Sequence, residues 1–276
     1  MWRASVSQVI LDTQNMIEDN KIIGEPKLLN TKIRFMGKGN ILYCEKNITI
    51  KDSYIEFKGN NSIVYLNENR HIYYFKVTIY NNSVLYFGKN NYINKVLHII
   101  LSEQKHVIIG DEGLFAIGCW IRTADPHIIY DESTRTRINK SKSIYIGDHV
   151  WLGQEVLVLK GSRLGSGCIM AARGIAAGKE YHSNTVYGGN PAKCLKEKVF
   201  HSKKSVNTFT THDAEKYDEF IDDRYIYKKK RTEESIFDKI EKDLELIEDS
   251  DNRMVYLKER LSGIEFSDHD RFFIGN

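Results

Sequence analysis

His127 lies in a polar segment with acidic residues on both sides, Asp125 two positions before it and Asp131 four positions after it. A neutral imidazole can take a proton from an alcohol, because its unperturbed pKa of about 6.5 leaves it largely unprotonated near neutral pH. A carboxylate next to the ring can hold it in the required orientation. The residues therefore predict a general base, His127, with Asp125 or Asp131 orienting its ring. The alternative is a structural histidine that caps a turn.

A regular pattern surrounds this segment. Apolar residues, several of them followed by glycine, recur every six positions in two runs: Ile109, Phe115 and Ile121 before the segment, and Ile146, Leu152, Val158, Leu164, Met170 and Ala176 after it. A period of six is typical of parallel β-helices, in which three short strands form one triangular coil and each strand points an aliphatic side chain inward. Glycine at the corners lets the backbone turn without a steric penalty. The pattern predicts a mainly β protein built as a parallel β-helix, and the polar segment is a loop that interrupts it.

We divide the chain into three predicted segments. Residues 1–106 are an N-terminal cap followed by irregular β-helix coils, and residues 107–198 are the hexapeptide-repeat core. Residues 199–276 form a charged α-helical extension, because apolar residues recur at helical spacing from Ile236 to Leu261. Thr232, followed by Glu233 and Glu234, predicts a helix start. The helices are expected to cap the solenoid, with packing on a neighbouring subunit as the alternative.

Composition excludes several classes of protein. The hydrophobic fraction of 41% and charged fraction of 28% are those of an ordinary globular protein, and the net charge of +3 gives no support for nucleic acid as a partner. The basic run at residues 228–231 is interpreted as a solvated linker face. Four scattered cysteines and nine dispersed histidines predict no metal site. No apolar stretch is long enough to span a bilayer, and we expect a cytoplasmic protein.

Two motifs carry a family resemblance. Residues 146–153 (IGDHVWLG) and 188–193 (GGNPAK) resemble the hexapeptide-repeat acetyltransferases, particularly the branch of galactoside, maltose and polysialic acid O-acetyltransferases. The resemblance covers about residues 107–198. It implies a left-handed β-helix, a homotrimer, and acetyl-CoA bound in the cleft between adjacent subunits. It also implies a catalytic loop histidine that lies 24 positions before the tryptophan of the first motif. His127 and Trp151 have this spacing.

The resemblance implies further site residues. Trp151 would provide a flat platform for the acceptor sugar, although an aromatic residue at the subunit interface is the alternative. The residues implied to contact the coenzyme are Gly153, Gln154, Ala172, Arg173, Lys179, Lys193 and Lys196. Two departures from the family pattern are local: proline precedes His127 where the family has Asp-Ser-His-Pro, and residues 170–173 read MAAR where many relatives have IGAG. Alanine at position 172 is small enough to leave room for the pantetheine arm.

The expected function is acetyl-CoA-dependent O-acetylation of a cell-surface carbohydrate, such as a sialic acid, a capsule sugar or a lipooligosaccharide sugar. Direct transfer is favoured over an acyl-enzyme on Cys119 or Cys168, because both positions suit small residues buried inside the coil. One alternative is N-acetylation of an amino sugar or nucleotide sugar. Another is a non-catalytic β-helix that binds a partner, against which the combination of His127, Trp151 and Lys193 argues.

Overall fold

The computed structural model describes residues 10–11, 19–229, 235–263 and 268–275. The helix start predicted at Thr232 and most of the predicted N-terminal cap lie outside these residues. The described chain winds into a β-helix with three faces, here called A, B and C in the order in which each coil visits them.

Faces A and B are eight-stranded sheets whose neighbouring strands are parallel. Face A consists of β1 (Ile10–Leu11), β4 (Lys32–Phe35), β7 (Tyr54–Phe57), β10 (Phe75–Ile79), β13 (Leu97–Leu101), β16 (Trp120–Arg122), β19 (Leu157–Leu159) and β22 (Ile175–Ala176). Face B consists of β2 (Lys21–Ile23), β5 (Ile41–Cys44), β8 (Ile63–Leu66), β11 (Val84–Phe87), β14 (Val107–Ile109), β17 (Ile144–Ile146), β20 (Arg163–Leu164) and β23 (Glu180–Tyr181).

Face C is split into two sheets. The first consists of β3 (Lys27–Leu29), β6 (Thr49–Lys51) and β9 (Ile72–Tyr73). The second consists of β12 (Tyr92–Ile93), β15 (Leu114–Phe115), β18 (Trp151–Leu152), β21 (Ile169–Met170), β24 (Thr185–Gly188) and β25 (Lys193–Glu197). β25 runs antiparallel to β24, so the chain reverses there and leaves the solenoid.

Coil length changes along the solenoid. On face A, Ile55 pairs with Val77 and Val77 with Ile99, so each coil there has 22 residues. Further on, Leu157 pairs with Ile175, and the coil has 18 residues, or three hexapeptides. The predicted six-residue period is therefore confirmed for the later coils, whereas the earlier coils follow a longer repeat.

Side-chain size follows coil length. The early coils are filled by aromatic rings, as where Phe35 stacks on Phe57 at a centroid distance of 4.8 Å and Tyr73 on Phe75 at 4.8 Å. The later coils are filled by smaller buried residues, among them Val158, Leu164, Met170 and Ala176. A longer coil encloses a wider cross-section, and larger side chains are needed to fill it to the density of a protein interior.

The C-terminal extension contains helices, as predicted, and covers face B. Its elements are α1 (Thr211–Lys216), α2 (Ile236–Leu246), α3 (Ser250–Tyr256) and a π-helical turn (Leu257–Leu261). Phe237, Ile240 and Leu244 form the buried side of α2 and join a cluster with outward residues of face B, where the Phe237 ring lies 5.0 Å from that of Tyr145. Helices α2 and α3 and the π-helical turn therefore pack on the solenoid of their own chain. No helix within the described ranges is long and apolar enough to cross a membrane.

Candidate active site

The predicted catalytic loop leaves the solenoid between β16 and β17, at the edge that faces A and B share. Its outer part is a short hairpin, in which Tyr130 bridges Arg137 and the Ile138 N–H donates to the Ile129 carbonyl at 3.0 Å. His127 lies just before this hairpin with its side chain exposed. The sequence correctly predicted that a loop interrupts the solenoid here, and the structure shows that the loop contains a hairpin.

Asn139 and Lys160 hold the backbone around His127. The amide nitrogen of the buried Asn139 side chain donates to the His127 carbonyl at 2.8 Å, and its oxygen accepts from the Ile129 N–H at 2.8 Å. Lys160, from the next coil, donates to the Asp125 carboxylate at 2.5 Å and to the Asn139 carbonyl at 3.0 Å. These bonds fix the chain on both sides of His127. Sequence reasoning missed both residues, because neither belongs to a motif or to the repeat.

Both acidic neighbours of His127 have other partners. Asp125 accepts from Lys160 and from Asn139, and the Lys160 hydrogen bond lowers its pKa below the usual value. Asp131 accepts from the N–H and hydroxyl groups of Ser133 and Thr134, which lower its pKa to about 2. Among the described residues the structure shows no hydrogen bond from either carboxylate to the His127 ring. Their role in orienting the ring stays a prediction.

Four of the predicted coenzyme residues lie together at the edge between faces C and A. Gly153 and Gln154 form the corner of one coil, and Ala172 and Arg173 that of the next, where the Arg173 N–H donates to the Gln154 carbonyl at 2.7 Å. A Cβ on Gly153 would lie 2.7 Å from the Ala172 nitrogen, so only glycine fits there. The Arg173 guanidinium pairs with Glu155 at 2.8 Å.

The three predicted lysines are divided between two places. The Gly189 carbonyl accepts from the Ile175 N–H, which continues the same C/A edge, and Lys193 and Lys196 follow on the exposed strand β25. Lys179 instead lies on the A/B edge, where its ammonium group is 5.3 Å from the centre of the Tyr181 ring. The structure brings Lys193 near the predicted coenzyme edge and leaves Lys179 apart from it.

Trp151 projects from β18 on face C and is 41% exposed. Its ring centre lies 5.6 Å from that of His201, in the segment that follows β25. A single chain therefore has His127 at one edge of face A and the coenzyme residues at the other edge. Between them lies an outward surface that includes Trp120, which is stacked on His98 at 4.1 Å.

The alternative cysteine nucleophiles are unsuited to the reaction. Cys119 and Cys168 are both buried inside the coils. Burial raises the pKa of Cys119 to about 11 and that of Cys168 above its usual range. Since the thiolate is the nucleophilic form, neither residue is activated for an acyl-enzyme mechanism.

No protein-family model matches the chain. Over 190 residues the chain is 28% identical to the polysialic acid O-acetyltransferase of Neisseria meningitidis, a match that covers 69% of this chain and 87% of that relative. Over 140 residues it is 30% identical to the galactoside O-acetyltransferase of Lactococcus lactis, a match that covers 50% of this chain and 63% of that one.

A solved structure agrees with the sequence relatives. The crystal structure of the polysialic acid O-acetyltransferase OatWY superposes with a TM-score of 0.61 at 27% identity, covering 71% of this chain and 92% of that one. The chain is similar in sequence and fold to polysialic acid O-acetyltransferases. The predicted family resemblance, β-helix fold and enzyme class are confirmed by these relatives, and the reading as a non-catalytic scaffold is not supported.

Proposed function

We propose that the protein transfers an acetyl group from acetyl-CoA to a hydroxyl of an acidic cell-surface carbohydrate of the sialic acid type, with His127 as general base. The observation that carries this proposal is the similarity to a polysialic acid O-acetyltransferase across 87% of that relative. Cytoplasm is the compartment proposed for the reaction, since acetyl-CoA is a metabolite of that compartment.

The C/A edge fits the acyl donor. Gly153 has no room for a side chain and Ala172 beside it carries only a methyl group, so a thin pantetheine arm can lie against the backbone. Lys193 and Lys196 are exposed at the end of the same edge and can pair with coenzyme phosphates. Arg173 contributes less, because Glu155 already pairs with it. Acetyl-CoA supplies the thioester carbonyl that is attacked.

The reaction needs one proton acceptor and no covalent intermediate. His127 takes the proton from the acceptor hydroxyl while that oxygen bonds to the acetyl carbon. The carbon–sulfur bond then breaks, and the departing thiolate recovers the proton from the imidazolium. The Asn139 and Lys160 contacts serve this step by fixing the backbone that carries the ring, because general-base catalysis depends on geometry first.

A homotrimer would complete the site. His127 and the donor edge lie on opposite sides of face A in one chain, so we assign them to a shared cleft between neighbouring subunits. The loop offers an apolar contact surface for such a neighbour: Ile128, Ile129, Tyr130 and Ile138 are each at least half exposed. Exposed aromatic and aliphatic side chains grouped in this way mark protein interfaces.

The proposal is tested by measuring thiol release from acetyl-CoA with sialic acid oligomers, neutral sugars and amino sugars as acceptors. We expect release with the acidic oligomers and a fall in kcat of about 10²- to 10⁴-fold for His127→Asn, the usual worth of a general base. His212→Asn, at an exposed histidine of α1, is the matched control and should keep full activity. Preference for an amino group would replace this proposal with N-acetylation. Full activity of His127→Asn would show that His127 is not the general base.

A further inference from the structure

A groove on face C lies beside Trp151. Tyr92 pairs with Leu114 and Leu114 with Trp151, so the three residues occupy one outward column on successive coils. Tyr92 and Trp151 are each 41% exposed, while Leu114 between them is half-buried. The two rings are thus separated by two strand spacings, about 9–10 Å, with a low floor between them. The depression has a volume of about 670 Å³.

Cationic side chains form the walls of this groove. Arg70 comes from the corner between faces B and C, and Lys203 and Lys204 come from the segment after β25. Lys203 lies 3.3 Å from the Glu112 carboxylate and is largely neutralised by it. Within the described part of the chain, neither Arg70 nor Lys204 has a carboxylate partner. The Lys204 ammonium group lies 5.3 Å from the centre of the Tyr217 ring, a contact that leaves its charge unneutralised. The groove therefore presents two positive charges without a carboxylate partner beside two aromatic faces.

The segment that carries the lysines, residues 200–207, is held in place beside the groove. His201 stacks on the buried His149 with ring centres 4.0 Å apart, and each ring nitrogen Nε2 bonds the other residue's carbonyl, at 2.8 and 2.9 Å. Tyr225 stacks on the other side of His149 at 4.1 Å. Lys203 and Lys204 follow directly on this anchored histidine, so their backbone is positioned and the groove is a built feature of the fold.

The composition of the groove selects its ligand. Aromatic rings stack on the apolar faces of sugar rings, and Arg and Lys pair with carboxylates. A neutral glycan would use the rings alone and gain nothing from the cations. A chain of acidic sugars has both features at every unit, and the groove is long enough for more than one unit.

We propose that this groove binds acidic sugars flanking the acetylated sugar, with Arg70 and Lys204 pairing with their carboxylates and Tyr92 and Trp151 stacking on their rings. The inference rests on the proposed function, since it names the substrate class for the same site. The groove ends at Trp151, two residues before Gly153 at the C/A edge, and so leads an acceptor chain toward the proposed donor position.

The test uses the full chain with Arg70→Gln, Lys204→Gln and both together. Acetyl transfer is measured with a sialic acid monomer and with sialic acid oligomers of increasing length. We expect the double variant to raise KM for the longer oligomers about tenfold, a loss typical of two exposed charge pairs. We expect no change in kcat, in KM for acetyl-CoA or in activity on the monomer. The wild type should also lose kcat/KM for oligomers with added salt more steeply than the double variant.

Lys38→Gln is the matched control, because Lys38 is exposed at the A/B edge near the other end of the solenoid. Unchanged KM for oligomers in the double variant would overturn the proposal. A rise in KM for acetyl-CoA would overturn it too, because the cations would then serve the coenzyme phosphates. Calorimetric titration of the same oligomers without acetyl-CoA separates this result from failure of the proposed function. Binding that weakens in the double variant supports the groove even in a protein that transfers no acetyl group, and equal or absent binding sinks it.

Discussion

Asn139 is the residue whose contacts most directly support the catalytic loop. Its side chain is buried and bonds the backbone of His127 and Ile129 as well as the Asp125 carboxylate. We predict that Asn139→Ala lowers kcat about fivefold, since a lost hydrogen bond of this kind is worth about 1 kcal/mol and the ring then samples more orientations. KM for acetyl-CoA should stay unchanged, because the donor edge is elsewhere. Steady-state kinetics with each substrate varied in turn measures both quantities.

Asn139→Asp separates positioning from general loss of stability. It keeps an oxygen for the Ile129 N–H but loses the donor to the His127 carbonyl, and it places a second carboxylate beside Asp125. A kcat as low as that of the alanine variant, with an unchanged melting temperature for both, would assign the effect to the His127 contact. Equal losses in melting temperature and kcat would instead make Asn139 a purely structural residue.

The site residues differ in how far sequence could find them. His127 was predicted because it lies in a loop that interrupts the repeat, at the family's spacing from Trp151, and Gly153 was predicted from the family resemblance. Asn139 and Lys160 lie 12 and 33 positions after His127, and the path of the loop over the next coil brings them to the backbone and carboxylate beside it. Hydrogen bonds of this kind follow from the tertiary structure, and a polar stretch without a period gives no sign of them.

At the scale of the strands, the six-residue period predicted the later coils and missed the length of the earlier ones. The early coils insert extra residues at their corners, so inward positions such as Ile55, Val77 and Ile99 recur after 22 residues. Their inward residues are also partly aromatic, which conceals the aliphatic signal. The strands themselves remained recognisable, because short runs rich in β-branched and aromatic residues, such as residues 63–66 and 84–87, are separated by polar turns.

The anchored segment behind the groove should make folding sensitive to acid. Burial, together with the nearby His201, lowers the pKa of His149 to about 3. Between about pH 6.5 and pH 3 the unfolded chain binds a proton at this residue and the folded chain does not, so stability falls as the pH falls. We predict that this residue lowers the free energy of unfolding by about 2 kcal/mol between pH 7.5 and pH 5.

Urea denaturation at several pH values checks this prediction. His149→Asn removes the titrating ring and tolerates the left-handed backbone of this position, where φ is 53°. The variant is expected to be less stable at pH 7.5 but to lose about 2 kcal/mol less than the wild type on acidification. Groups away from His149, such as the buried His106, contribute equally to both proteins and cancel in the difference. If the free energy of unfolding fell equally with pH in both proteins, His149 would not be the source of the acid sensitivity.

At the scale of the whole molecule, the proposed base and the proposed donor residues lie at different places on one chain. Face A separates His127 from the corner at Gly153 and Ala172, and the exposed apolar residues of the loop adjoin this face. A cyclic assembly in which the A/B edge of one chain meets the C/A edge of the next would restore one complete cleft per subunit. Helices α2 and α3 do not obstruct such an assembly, because they cover face B.

Mixing two inactive variants tests this arrangement. His127→Ala removes the base, and Ala172→Trp blocks the donor edge with a large side chain at an exposed position. Each should be inactive alone. In a random hybrid trimer, a cleft is intact when an unaltered His127 from one chain meets an unaltered Ala172 from its neighbour. We therefore predict that equal co-expression restores roughly a quarter of wild-type activity. Co-expression of His127→Ala with His127→Asn is the control and should restore none. If the two half-sites belonged to the same chain, every cleft in the hybrid would carry one defect and thiol release would stay at the level of the separate variants.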